Sequence, residues 1–431
     1  MLKNLKMNNV GPAPVMELEF GNRLNLLTGD NGLGKSFLLD IAWWALTRKW
    51  PAQINPKLTA GRMALPSAPG KASIGFSFTG RTAAEDYVSS FERREQAWTG
   101  RPGRPSNPGL VLYAMADGSF AVWDPARNYW RTGKKGDVQE RPVAYVFSPP
   151  EIWDGLPGEE GRWLCNGLIR DWAGWQKENG QAFEYLCAAL TVLSPAESEP
   201  IVPGDLTRIS LDDVRDIPTL KMADGQDVPV LHAAAGMRRI IALAYMLVWT
   251  WDEHRKASRL LGSPPADQVI FLIDEIESHL HPRWQRRIIR AVLNVMHVLT
   301  KCARVQLVTA THSPLVLASV EPLFDEQTDA WFDLDLETVG NGPPHVTLTK
   351  RPFIRRGDAS TWLMSDAFDL GSARSLEAEK VLNEAAKALS DEDFDGQRAG
   401  QLDVELRSVL SDTDPFWMRW RFVSEKKGWL P

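Results

Sequence analysis

Cysteine is scarce in this sequence, with Cys165, Cys187 and Cys302 the only three among 431 residues. They lie far apart, with neither metal-ligand spacing nor a pairable framework. That excludes a disulfide scaffold and fits a reducing, cytoplasmic setting. No apolar run reaches the roughly 18–20 residues that a membrane span needs. The opening MLKNLKMNNVG also lacks the apolar core of a signal peptide. Basic residues do not dominate either. The formal net charge is −6, which argues against a uniformly basic nucleic-acid clamp while allowing a local basic groove. There is no sustained heptad run, so a long coiled coil is excluded. What remains is an ordinary soluble composition, 44% hydrophobic and 24% charged, long enough for two or three domains or one core with a large insertion. Tryptophan is the exception at 18 residues, read mainly as core and interface packing.

The informative stretch is 24–46, LNLLTGDNGLGKSFLLDIAWWAL. Gly29, Gly34, Lys35 and Ser36 match the phosphate-binding pattern G-x-x-x-x-G-K-[ST], with a further glycine at Gly32. The apolar run before Gly29 suits a buried strand, and the residues from Phe37 onward suit a helix, which is the context the motif requires. Glycines allow the tight turn that points backbone N–H groups, from Gly29, Asp30, Asn31, Gly32 and Gly34 on to Phe37, into one concavity at a helix N-terminus. Lys35 places a point charge on the β- and γ-phosphates of a nucleoside triphosphate, and Ser36 offers a hydroxyl to Mg2+. A second segment, VIFLIDEIE at 269–277, is an apolar strand ending in carboxylates. Asp274 is expected to hold Mg2+ and Glu275 to orient or deprotonate the attacking water.

The rest of the chain is read around these two points. Residues 1–28 predict strands over 1–7 and 15–20 before the P-loop strand, separated by a turn at Asn9, Gly11 and Pro12. About 240 residues separate Lys35 from Asp274, so the span must include added structure, and we assign it to 81–230. Within it, 81–141 interleaves Arg93, Arg94, Arg101, Arg104, Arg127, Arg131, Lys134 and Lys135 with Trp98, Tyr113, Trp123, Tyr129 and Trp130. This reads either as a surface for DNA or a partner or as a solvated β-rich insertion with a hairpin at Asp117-Gly118. Residues 151–195 predict helices whose Trp163, Trp172 and Trp175 stripe is core. Asp333, Asp335 and Glu337 alternate along one strand face, a pattern that fits a metal or, more simply, an exposed acidic face. Ser375–Leu389 predicts an amphipathic helix. The aromatic residues Phe416, Trp417, Trp420 and Phe422 are expected to dock on the body of the protein, or else on a partner.

Three more segments complete a pattern. Ser278-His279-Leu280-His281-Pro282 follows the Walker B carboxylates where ABC-type ATPases carry a D-loop. Thr311-His312-Ser313-Pro314 follows a strand as an H-loop does. Ala234, Ala235, Gly236, Met237 and Arg238 precede a long helix in the place of a signature motif. In order and spacing the chain resembles ABC/SMC-like ATPases of the OLD and RecF type, and more narrowly the Septu-type ATPase subunits of bacterial anti-phage systems. The resemblance implies an α/β fold: an ABC-ATPase-like P-loop domain, its mixed sheet flanked by helices, in two halves (1–80 and 231–350) around the insertion 81–230, with a helical extension over 351–431. It implies ATP and Mg2+ as ligands, His312 as a γ-phosphate sensor, and a head-to-tail homodimer in which the 234–238 segment meets the partner's ATP. It also implies a separate HNH-type nuclease subunit, since the chain carries no recognisable nuclease motif of its own. The alternative is a RecF-like repair ATPase that binds DNA itself. A transporter subunit is disfavoured by the large Trp-rich insertion. Alanine at 234, where such signatures usually have serine, removes one hydroxyl contact worth about 1–3 kcal/mol and predicts slow or partner-dependent turnover.

Overall fold

The computed structural model describes residues 1–80, 84–100, 106–129, 142–301, 303–338, 344–391 and 394–429. Two compact units divide the chain, Met1–Arg355 and Arg356–Pro431. The first holds two large sheets with the P-loop helix, Lys35–Thr47, between them, and two small ones of two and three strands. Its neighbours explain why this helix has no polar face: Leu38, Leu39, Ile41, Ala42, Trp43, Trp44, Ala45 and Leu46 are all buried. They share one core with Leu5, Met16, Leu18 and Phe76 of the first sheet and with Val111, Ile270, Leu272 and Val308 of the second. A helix that is apolar all round is a buried one. Each of its large side chains contributes about 1.5–3 kcal/mol by leaving water.

The first sheet is antiparallel and has five strands. Leu2–Asn8 pairs with Val15–Glu19 on one side and Ser73–Thr79 on the other, and Ala84–Glu92 follows. Both N-terminal strands fall where the alternation of the sequence places them. The second sheet has eight strands. At its centre the P-loop strand Leu24–Gly29 runs parallel to Arg304–Ala310 on one side and Ala330–Glu337 on the other. Beyond Arg304–Ala310 comes the Walker B strand, Gln268–Ile273, also parallel and buried at every position. Continuous apolar runs of this kind belong to parallel strands covered on both faces.

The segment 81–230 is less of an insertion than its length suggests. Leu110–Ala114 pairs in parallel register with the Walker B strand, Ile273 opposite Ala114. Phe120–Trp123 and Tyr145–Phe147 extend the same sheet antiparallel. The Asp117-Gly118 turn is the expected hairpin, but it joins two strands of the core. Tyr113, Trp98 and Trp123 are accordingly buried, with Trp98 against Trp44 and Phe91, which removes them from any stacking surface. Arg101, Arg104, Trp130, Arg131, Lys134 and Lys135 lie outside the described residues. The helices Leu168–Glu178 and Gln181–Val192 bury Trp172 and Trp175 as expected, whereas Trp163 sits on a short strand and is 54% exposed.

In the second unit, the helices Leu376–Ser390, Gly396–Val409 and Phe416–Lys427 pack around Ala385, Leu402, Leu406, Trp417 and Trp420. The two tryptophans are therefore buried in this unit's own core. Trp420 also donates its indole N–H to Asp403 at 2.9 Å. Phe422, by contrast, is exposed.

Candidate nucleotide-binding site

Parallel strands place their carboxyl ends on one edge, and in open α/β sheets ligands bind there. The P-loop leaves the Leu24–Gly29 strand at that edge, Asp274 follows Ile273, and His312 lies two residues beyond Ala310. Gly29, Gly32 and Gly34 have φ of +123°, +84° and +103°, a region that disfavours side chains. Gly34 forms the N-cap of the Lys35–Thr47 helix. No side chain caps that helix and no acid stands in its first turn, so its free N–H donors are open to a phosphate. Asp30, Asn31, Gly32 and Ser36 are exposed along the same loop, while Phe37 is half-buried.

Lys35 is buried, and its ammonium group donates to the carbonyls of Gly29 at 2.7 Å and Asp30 at 2.8 Å. Burial pushes its pKa down, opposed by the carboxylates of Asp274, Asp30, Glu275 and Glu277. Asp274 is 3% exposed, and burial raises its pKa while the Ser36 hydroxyl lowers it. Its Oδ1 is a buried oxygen with no hydrogen-bond partner among the described residues. An orphaned carboxylate oxygen beside a hydroxyl is a donor set that suits a hard cation such as Mg2+.

The turn after the Walker B strand carries a feature the sequence reading missed. Both oxygens of Glu277 are engaged with the H-loop: one accepts from the Thr311 hydroxyl at 2.8 Å, the other from the His312 backbone N–H. Burial raises the Glu277 pKa, and the His312 N–H is the largest counterweight. Ser313 caps the Pro314–Val320 helix by accepting from Val316, with Pro314 at its first turn. The S-P pair thus starts a helix and leaves His312 in the strand-to-helix turn. Burial and then Lys35 depress the His312 pKa, while Glu275 and Asp30 raise it. The only sequence signal for Glu277 was its place three residues after Asp274.

The 234–238 segment packs against the turn after the Walker B strand. Ala234 is the N-cap of the long helix Ala235–Leu260, again without a side-chain cap or an acidic first turn. A Cβ on Gly236 would lie 2.4 Å from the His279 carbonyl oxygen, so glycine lets the helix start seat on the D-loop. Met237 is half-buried, whereas Ala234, Ala235 and Arg238 are exposed. The WFDLDLE strand departs from the exposed acidic face expected of it. Asp333 is 2% exposed, accepts from Thr28 at 2.8 Å and lies 3.6 Å from Arg351. Of its three acids only Glu337 is exposed, with Asp335 half-buried.

Beneath the site, Tyr113 donates its hydroxyl to Asp40 on the P-loop helix at 2.9 Å. Burial raises the Asp40 pKa to about 7, against the Tyr113 hydrogen bond, with the Asp274 charge adding to the rise. In the unfolded chain this carboxyl ionises near pH 4. Between those values the native state keeps a proton that the unfolded state has lost, so stability falls as pH rises through 4–7 and levels off above it. Asp40→Asn removes this term and keeps an acceptor for Tyr113. Urea unfolding at pH 5 and pH 8 is expected to show wild type losing about 2–3 kcal/mol relative to the variant across that interval. An equal pH response in both proteins would mean that Asp40 is already ionised in the fold.

Comparison with known proteins fits this geometry. The family model described as "AAA domain, putative AbiEii toxin, Type IV TA system" matches residues 24–318. The "Retron Vc95 probable ATPase" of Vibrio cholerae serotype O1 biovar El Tor is 29% identical over 33% of this chain and 26% of its own length. The chain thus spans about a quarter of that relative. Septu protein PtuA of Bacillus thuringiensis is 20% identical over 91% of this chain and 90% of its own. Among solved structures, the SMC head domain from Thermotoga maritima aligns with 81% of this chain and 98% of its own at 15% identity, with a TM-score of 0.37. The family match runs from the P-loop strand through Asp274 to the helix after His312, and the chain belongs to that AAA-domain family.

Proposed function

We propose that this chain is the ATP-hydrolysing subunit of an anti-phage defence system, which closes as a head-to-tail homodimer on ATP and gates a separate HNH-type nuclease. The observation that carries the reading is that Lys35, Asp274, Glu275 and His312 all follow the carboxyl ends of three adjacent parallel strands. The P-loop N–H groups and Lys35 would hold the phosphates, and His312 would touch the γ-phosphate. Ser36 and Asp274 would hold Mg2+, which would neutralise phosphate charge. Glu275 would orient a water and take its proton as the water attacks the γ-phosphorus and the bond to the β–γ bridging oxygen breaks, giving ADP and inorganic phosphate. Similarity to Septu and retron ATPases supports the defence setting. The exposed start of the Ala235–Leu260 helix supports a role in contacting a partner's nucleotide.

The test combines three readouts on purified protein: ATP turnover, molar mass by light scattering with and without ATP, and plasmid cleavage with and without the neighbouring nuclease. The expected result is turnover well below about 10 per second, a mass that doubles with ATP, and cleavage only when the nuclease is present. Cleavage by this chain alone would overturn the gating role. ATP-dependent DNA binding with no effect on any nuclease would favour the RecF-like alternative.

A further inference from the structure

Arg239 lies one residue beyond the signature segment, on the helix Ala235–Leu260. Its guanidinium spans two chain segments. One nitrogen donates to the Ala116 carbonyl at 3.0 Å, and another makes longer 3.4 Å contacts to the carbonyls of Asp274 and Glu275. Ala116 belongs to the hairpin turn after Leu110–Ala114, the strand beside Walker B. The planar guanidinium fork suits such a bridge, whereas an ammonium acts as a point charge. Burial lowers the Arg239 pKa, and Glu275 is the largest of the charges that raise it.

What Arg239 holds is a strained peptide. Glu275 has φ of +46°, the left-handed region, which costs a residue with a side chain about 1–2 kcal/mol. Its carbonyl is fixed from two directions, by Arg239 and by the Ser278 N–H at 2.9 Å. Four residues downstream, the His279 carbonyl lies under Gly236. The start of the Ala235–Leu260 helix is therefore tied to the Walker B turn at two points, and a shift of one moves the other.

We propose that Arg239 is a positioning residue for Glu275, holding its backbone in the left-handed conformation that aims the carboxylate and transmitting the position of the signature helix to it within one protomer. This rests on the ATPase reading above. Arg239 touches no reacting atom, so it sets turnover and not nucleotide affinity.

The experiment compares Arg239→Ala and Arg239→Lys with wild type, each in an otherwise wild-type and in a Glu275→Gln background. Arg239→Ala is expected to lower kcat at least tenfold and to leave the affinity for a fluorescent ATP analogue within twofold. In the Glu275→Gln background the same change should alter the single-turnover rate less than twofold. Arg239→Lys, which keeps the charge and loses the fork, should fall between alanine and wild type. Equal losses in both backgrounds, a parallel loss of affinity, or full rescue by lysine would each overturn the proposal. A second readout needs no hydrolysis: amide exchange at Ser278 should speed up at least tenfold in Arg239→Ala, and unchanged exchange overturns the proposal even where the fold tolerates the variant poorly. Wild type that bound ATP but never hydrolysed it would defeat the ATPase reading, and the Ser278 exchange would still decide whether Arg239 holds the turn.

Discussion

Alanine at position 29 is expected to destabilise the ATPase unit by roughly 3 kcal/mol or more, and to abolish nucleotide binding in whatever remains folded. Two costs combine. The Gly29 φ of +123° lies outside the region open to a residue with a side chain. In addition, a Cβ there would stand 2.0 Å from the Leu334 carbonyl oxygen and 2.9 Å from its carbon. These are backbone atoms of the adjacent strand, with Leu334 in register opposite Gly29, so relief requires parting two central strands where the phosphate loop begins. Gly32→Ala is the control. Its φ is +84°, yet no heavy atom lies within 4 Å of the added Cβ, which leaves only the backbone cost of about 1–2 kcal/mol. Urea unfolding of the two variants should separate them by about 2 kcal/mol or more. If both lose the same stability, the close approach of Leu334 is not what position 29 requires.

The contrast between these glycines marks the reach of the sequence. G-x-x-x-x-G-K-S announces a phosphate loop because four residues close together in the chain make it, and local chemistry is what a sequence displays. The same holds for the apolar strand before Asp274 and for Ser313-Pro314, whose capping role starts the helix after His312. Non-local pairing was not legible. Leu110–Ala114 has the composition of any short strand, and its place beside Walker B comes from a parallel pairing some 160 residues away in the chain. Hence a stretch read as insertion supplies three strands of the core sheet. Asp333 was misread for a related reason. Alternation correctly put it on a strand face, but Thr28 and Arg351 arrive from other strands to bury it. Glu277 and Arg239 were given no role because their partners, the Thr311 hydroxyl and backbone groups, belong to segments distant in sequence. Trp417 and Trp420 were recognisably apolar anchors, and only the partner helices show that they serve their own unit.

Glu275→Gln is expected to lower kcat by about 10²–10⁴ and to leave ATP affinity nearly unchanged. Each factor of ten is about 1.4 kcal/mol, so roughly 3–5 kcal/mol of barrier is assigned to this carboxylate. Glutamine keeps the length and shape of the side chain and tolerates the same left-handed backbone, so the turn held by Arg239 and Ser278 has no reason to move. What it loses is the base. Of the two glutamates in this turn, Glu275 is the better candidate for that role: both oxygens of Glu277 accept hydrogen bonds from the H-loop, whereas Glu275 is half-exposed. With ATP bound and not cleaved, the head-to-tail reading expects the variant to persist as a dimer through gel filtration, while wild type returns to monomer as ATP is consumed. The Glu277→Gln protein separates the two roles further. It keeps the acceptor for Thr311 or His312 but not both at full strength, and is expected to weaken the response to γ-phosphate without removing the base. Turnover of Glu275→Gln at the wild-type rate would mean that another group activates the water, and the search would move to His312.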